Sequence, residues 1–238
     1  MRKARGVSSS DASTKITSAT SASSTASAAG SAAAAPAPLP DPRGAGPYRV
    51  VMVCTGNICW SPMAEAVLRD HLQAAGMLSP DRVGVGPSRP DRVGAPGVEV
   101  TSAGVSGEEY GNPMDPCALR ILREAGYGVG PGADDAAGRT MRTHRAHRMS
   151  DAELTSADLV LAMTRRQVKA LRRRAGPLRA GQKRIQLYRA YDPLAVGLAT
   201  VDLDVPDPWY GDHADFVDTL AVVERVSQAL VEALAGAR

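Results

Sequence analysis

The sequence predicts an α/β domain, a three-layer fold in which a four-stranded parallel sheet is flanked by helices. Three observations carry this. Four short runs rich in apolar and β-branched residues, RVVMV (49–53), VEVTSAG (98–104), ADLVLAM (157–163) and RIQLY (184–188), read as strands buried on both faces. Between and after them lie longer stretches whose apolar residues recur at helical spacing. The first run ends in VCTGNICWSP (53–62), a strand, a Gly/Asn turn and a Ser-Pro helix start, and this is the junction at which open α/β sheets place their ligands.

Taken in order, the first helix is expected over 62–75, with Met63, Val67 and Leu72 on one face, Arg69, Asp70 and Gln73 outside, and Gly76 as its stop. A tandem near-repeat, PDRVGVGPSR then PDRVGAPGVE, follows and reads as a Gly/Pro-rich loop insertion at about 79–97 with no chemistry of its own. After the second strand, Asp115 and Pro116 supply an N-cap and an N1 proline for a helix running to 125 and closed by Gly126. The third strand leads into a helix starting near Thr164, whose Arg172, Arg173 and Arg174 read as a solvated face. The last helix begins near Asp215 and carries one apolar stripe: Phe216, Leu220, Val223, Val226, Leu230 and Leu234.

Composition divides the 238 residues into a tail, 1–46, and a domain, 47–238. The tail is Ser, Ala, Thr, Gly and Pro with few large apolar side chains, so burial cannot offset its ordering entropy and disorder is expected. Its MRKAR start and shortage of acids also suit an organellar transit peptide. No run approaches the roughly 18 apolar residues of a membrane span, so no membrane partner is expected. With 28 Lys+Arg against 25 Asp+Glu the charge is too balanced to argue for nucleic acid. Three cysteines give no disulfide framework, and a reducing, cytoplasmic setting is the expectation.

The chemistry concentrates after the first strand. Backbone N–H groups from Thr55 through Gly56, Asn57, Ile58 and Cys59 to Ser61 can curl around one anion, with Gly56 and Asn57 tolerating the positive φ such a nest needs. The helix opening at Ser61-Pro62 adds its positive dipole end, and these dipoles favour an anionic, nucleophilic sulfur on Cys54. Ser61 serves as helix cap, as hydrogen-bond donor to that sulfur, or both. Iron–sulfur ligation fails for want of a third close cysteine, and zinc for want of Cys or His at finger spacing. A mere core cysteine would have apolar neighbours rather than Thr-Gly-Asn.

CTGNICWSPMAE (54–65) resembles, in all but one fixed place, the loop of the low-molecular-weight protein tyrosine phosphatases, close to CxGNICRSPMAE. VPDPWYGDHADF (205–216) resembles their second element, a DP-aromatic-aromatic loop before the last helix, and the likeness runs from about Tyr48 to Leu234. The resemblance implies a phosphotyrosine protein phosphatase I-like fold and cofactor-independent hydrolysis of phosphate monoesters through a phosphocysteine. Cys54 would attack phosphorus, and Asp207 would protonate the leaving group and then activate water. Asn57 would hold the loop's shape, and Trp209 and Tyr210 would wall the substrate ring. Cys59 is either a thiol that traps oxidised Cys54 or a small loop residue. A phosphotyrosine protein or a small aryl phosphate would be the partner.

The departure is Trp60, which stands where the family carries an arginine that grips phosphoryl oxygens. Hydrolysis impaired by Trp60, a pseudophosphatase that binds phosphotyrosine or another anion without turnover, and arsenate reduction on the same scaffold all remain open. Arg69, Arg120, Arg139, Arg142, Arg145 and Arg148 are the arginines available as replacements, none of them in the loop. A second departure puts Glu108, with Tyr110 close by, where the family has an aromatic substrate wall. In RTMRTHRAHRMS (139–150), His144 and His147 share a helical spacing but lack partners for a metal. His213 reads as a cap of the last helix and His71 as a helix-surface residue.

Overall fold

The computed structural model describes residues 37–79, 97–129, 135–176, 179–206 and 213–237. Strands β1 (Tyr48–Cys54), β2 (Val98–Gly104), β3 (Leu159–Ala162) and β4 (Ile185–Leu187) form one parallel sheet in the order β2-β1-β3-β4. Their register places Cys54 opposite Gly104 and Val53 opposite Ala162, so the loop that follows Cys54 leaves from the carboxyl edge of the sheet's centre.

Alternation along β1 divides the core. Val50, Met52 and Cys54 join one apolar cluster and Val51 and Val53 another, as expected where successive side chains point to opposite faces. The first cluster is closed by α1 (Trp60–Ala74), α2 (Pro116–Glu124), α3 (Ala136–Thr143) and α7 (His213–Gly236); α1 packs on both α3 and α7. The second is closed by α4 (Asp151–Ser156) and α5 (Arg165–Arg174), through Leu154, Val168 and Leu171. A short helix, α6 (Arg179–Lys183), precedes β4. The sheet therefore lies between two helical layers, as the sequence predicts. All six stripe residues of α7 are buried.

Helix boundaries follow local chemistry. The Asp115 carboxylate accepts from the N–H groups of Cys117 and Ala118, with Pro116 at N1, and Gly126 (φ 93°) takes the left-handed stop of α2. Reciprocal bonds between Ser150 and Glu153, and between Thr164 and Gln167, make capping boxes that start α4 and α5.

Several local expectations are corrected. α1 begins two residues earlier than the Ser-Pro pair suggests. Arg69, expected outside, is buried and donates from Nη1 to the carbonyl of Val100 (3.2 Å). His71 is half-buried, its Nε2 lying 3.5 Å from the Tyr127 hydroxyl. Arg172 and Arg173 are exposed, but Arg174 folds onto Met149 O (2.8 Å) and Asp151 (2.5 Å).

Composition sets the tail at 1–46, yet 37–43 form a strap on the folded unit. Ala37 N–H bonds to Ala190 O (3.1 Å), Tyr48 Oη donates to Pro40 O (2.9 Å), and Arg43 bonds through its backbone to Asp158 Oδ1 (2.6 Å) and through Nε to Ala157 O (2.9 Å). Asp158 is buried and also accepts from Arg49 N–H (2.8 Å), with the Arg184 guanidinium 3.6 Å away. The strap thus helps to satisfy an interior charge, a need that composition does not register. The rest of the tail and most of the 79–97 insertion lie outside the described residues. Among the described residues no helix is long and apolar enough to cross a membrane.

Candidate active site

The loop between β1 and α1 is held from outside by its carbonyls. Cys54 O accepts from Val105 N–H (3.0 Å), Thr55 O from Ser106 N–H (3.0 Å), Ile58 O from Asp115 N–H (2.8 Å) and Cys59 O from Met63 N–H (3.2 Å). Asn57 O accepts from His144 Nε2–H (2.7 Å). In a planar trans peptide the N–H points opposite the C=O, so carbonyls tied outward turn the following N–H groups toward the loop's interior. The loop's shape is thereby set by its surroundings.

Inside it lies the thiol of Cys54, 3.0 Å from Ser61 Oγ and accepting from Asn57 N–H at 3.2 Å. Both cysteines of the loop are buried thiols, and Cys117 is exposed on α2. Asn57 takes φ 63°, the left-handed region in which Asn is one of the few tolerated side chains. Gly56 does not share that conformation. Its small size answers another need, because a Cβ there would stand 2.8 Å from Cγ of Glu109. Gly104 is required in the same sense: a Cβ would meet the carbonyl oxygens of Thr55 and Ser106, both at 2.8 Å.

Asn57 is the centre of a buried hydrogen-bond web. Its Nδ2 donates to Ser61 Oγ (3.0 Å) and Ser102 Oγ (2.9 Å), its Oδ1 accepts from His147 N–H (3.1 Å), and the Ser102 hydroxyl in turn donates to Glu65 Oε2 (2.7 Å). Thr55 Oγ1 accepts from Gln167 at the start of α5 (3.2 Å). Ser102, Glu65, His144, His147 and Gln167 thus bear on the loop without having been singled out for that role by sequence.

The two histidines are not on one helical face. His144 ends α3 and His147 lies in the extended segment beyond it. Burial lowers the pKa of His144, against the raising effect of its bond to Asn57 O. His147 Nε2 donates to Glu153 (2.8 Å); that bond raises the histidine pKa despite burial, and it brings Glu153 down to about 2, with help from Ser150. Among the described residues no cluster of three or more His, Cys, Asp or Glu side chains could hold a metal. His213 is the first residue of α7 and bonds to Glu124 on α2 (2.9 Å).

Trp60 is the first residue of α1 and 6% exposed, packed in the larger apolar cluster with Cys54, Cys59, Met63 and Met114. Its indole Nε1–H is buried without a hydrogen-bond partner among the described residues. Three arginines offered by sequence as substitutes are committed elsewhere: Arg69 to Val100 O, Arg120 to Glu124 (3.9 Å) and Arg145 to His144 O (2.6 Å). Tyr110 is 77% exposed, in the loop whose Glu109 packs on Gly56. Asp207, Trp209 and Tyr210 lie outside the described residues.

A family model described as "Low molecular weight phosphotyrosine protein phosphatase" matches residues 49–238. A low molecular weight protein-tyrosine-phosphatase of Streptomyces coelicolor is 36% identical over 187 residues, covering 79% of this chain and 93% of its own. Low molecular weight protein-tyrosine phosphatase A of Mycobacterium bovis is 34% identical over 178 residues, covering 75% and 86%. Among solved structures, YfkJ from Bacillus subtilis superposes with a TM-score of 0.60 at 26% identity, covering 82% of this chain and 99% of its own.

Proposed function

Because the chain belongs to the low-molecular-weight phosphotyrosine protein phosphatase family, we propose that its loop hydrolyses phosphate monoesters through a phosphocysteine, at a rate held down by Trp60. One observation carries the reading: the Cys54 thiol sits between Ser61 Oγ and Asn57 N–H, inside a loop whose carbonyls are tied outward. That arrangement suits a tetrahedral dianion held against a nucleophilic sulfur.

In the first half-reaction the sulfur of Cys54 displaces the phenolate from phosphorus, forming the S–P bond as the P–O bond breaks. Asp207 gives the departing oxygen its proton. In the second, Asp207 takes a proton from water, the water oxygen attacks phosphorus, and the S–P bond breaks. Ser61 stabilises the sulfur as it leaves, being already within hydrogen-bond distance. Asn57 positions Ser61 and fixes the loop's turn. By the family resemblance, Tyr110, Trp209 and Tyr210 are assigned as the wall for an aryl or phosphotyrosine substrate, the last two lying outside the described residues.

Trp60 takes the position of the guanidinium that counters charge on the transferring phosphoryl group. Indole brings one donor and no charge, so a contribution of about 10³ to 10⁵ in rate is missing while the amides and the helix dipole remain. A second reading, anion binding without turnover, draws on the same residue: the Nε1–H at the helix start has no acceptor among the described residues, and an oxyanion could supply one.

Trapping tests the leading reading. After mixing with an aryl phosphate and acid quenching, mass spectrometry should find phosphate on Cys54, and Cys54→Ser should abolish both adduct and phenol release. Phenol release that survives Cys54→Ser would refute it, and bound ligand with neither adduct nor release would favour the binding module.

A further inference from the structure

A groove of about 700 Å³ runs between α5, β4 and the 3₁₀ turn Thr200–Leu203. Val168 and Leu187, both nearly buried, give it an apolar floor. Its wall is cationic. Arg165, Lys169, Arg172 and Arg173 stand at i, i+4, i+7 and i+8 and so share one side of the helix. Among the described residues that line it there is neither a carboxylate nor an aromatic ring. Asp204 engages Arg165 at one end (3.2 Å), and Arg172 spends one N–H on Ile185 O (2.9 Å). Lys169 and Arg173 are exposed and have no described carboxylate as partner.

Placement separates this groove from an ordinary basic surface. The other side of α5 meets the anion loop, where Gln167 donates to Thr55. At the groove's end, Leu203 lies two residues before Val205, whose N–H bonds to Met163 O (2.9 Å) just beyond β3, at the carboxyl edge of the sheet. One end of the groove therefore abuts the margin of the site. From Arg165 to Arg173 the helix rises about 12 Å at about 1.5 Å per residue, the reach of roughly four extended residues.

We propose that this groove docks an acidic segment of a phosphoprotein substrate, with carboxylates along Lys169, Arg172 and Arg173 while the phosphorylated side chain enters the loop at Cys54. The proposal rests on the phosphatase reading and adds a substrate class to it: phosphoproteins with acidic residues several positions from the phosphotyrosine. Continuity with the site and complementary charge favour a peptide. A nucleic acid would lack a ring on which to stack a base.

The test measures equilibrium binding to the full chain by fluorescence anisotropy at low salt. The probes are an unphosphorylated Glu-rich peptide, its Gln counterpart, and a single-stranded oligonucleotide of equal charge. The acidic peptide should bind about tenfold tighter than the Gln peptide, and Lys169→Ser with Arg173→Ser should remove that advantage. Cys54→Ser should keep it. Equal binding of the two peptides, or an advantage that survives the double substitution, overturns the proposal. Tighter binding of the oligonucleotide through the same two residues overturns it in favour of nucleic acid. On Cys54→Ser, adding phosphotyrosine to the acidic peptide should tighten binding further; no gain, although a phosphotyrosine Gln peptide binds, overturns the link to the site. These probes report binding alone, so failure of hydrolysis leaves the outcome readable.

Discussion

Replacing Trp60 by arginine should raise turnover of a small aryl phosphate by at least about a hundredfold. A transition-state arginine in phosphoryl transfer supplies about 10³ to 10⁵, or roughly 4 to 7 kcal/mol at about 1.4 per decade. The parts it would act with are in place, since Ser61 and Asn57 already hold Cys54 at 3.0 and 3.2 Å. The cost falls on the core. Trp60 is 6% exposed, and truncating a buried aromatic costs about 3 to 5 kcal/mol. The arginine stem recovers part of that area, and removing a buried Nε1–H that has no partner among the described residues returns about 1 to 3 kcal/mol. A net loss of about 1 to 3 kcal/mol is therefore expected, together with an imperfectly shaped seat for the guanidinium. That seat takes about one decade from the full effect, leaving at least about a hundredfold. Steady-state release of the phenol, with kcat and KM separated and thermal melts of both proteins, measures this. The gain should appear in kcat, because the arginine acts on charge that develops in the transition state. Equal kcat/KM for two folded proteins would refute the assignment of this position.

Three further outcomes follow from the same geometry. Asn57→Ala removes bonds to Ser61, Ser102 and His147 and places alanine at φ 63°; it should cost about 2 to 4 kcal/mol by denaturant melt and lower turnover more than tenfold, and a change under about 0.5 kcal/mol would contradict the web described. Gly104→Ala should cost about 1 to 3 kcal/mol and lower anion affinity, because both atoms it meets at 2.8 Å are backbone oxygens that cannot swing aside; an unchanged melt would show that the strand end yields. The His147–Glu153 pair should contribute about 1 kcal/mol or less, given its partial exposure, and it should do so in a defined window. Glu153 is lowered from 4.5 to about 2, so its share is present above pH 4.5 and is lost as pH falls toward 2; His147 is raised from 6.5, so its share is complete below that value and is lost above it. Glu153→Gln should therefore lower the melting temperature more at about pH 5.5 than at about pH 9, and a penalty that grows with pH would be inconsistent with these directions.

The strands and the α7 stripe were legible because burial on two faces, or on one helical stripe, leaves a periodic trace. The loop was legible as a run of residues that allow a nest. What holds it was not. Asn57 meets Ser102 at a separation of 45 residues and His147 at 90, and no local pattern encodes pairings over such distances. One signal was available: S-x-x-E at 150–153 is a capping box that announces α4, which breaks the supposed helical face of His144 and His147. Arg69 was misplaced because its stem fits the polar pattern of a helix exterior, whereas here the guanidinium reaches Val100 O in the interior. Gly56 was assigned to torsional freedom when clearance for Glu109 is what the position needs.

The lashing of 37–43 bears on where the polypeptide can be cut. The family match begins at residue 49, and a truncation designed from it would discard the Arg43 amide and guanidinium while keeping Asp158, 4% exposed, in the interior. A shortened protein that starts there would strip one flank of that carboxylate of its hydrogen-bond donor and cover, and its poor yield could be mistaken for a defect of the catalytic loop. Recombinant versions beginning at or before Ala37 keep the two problems apart.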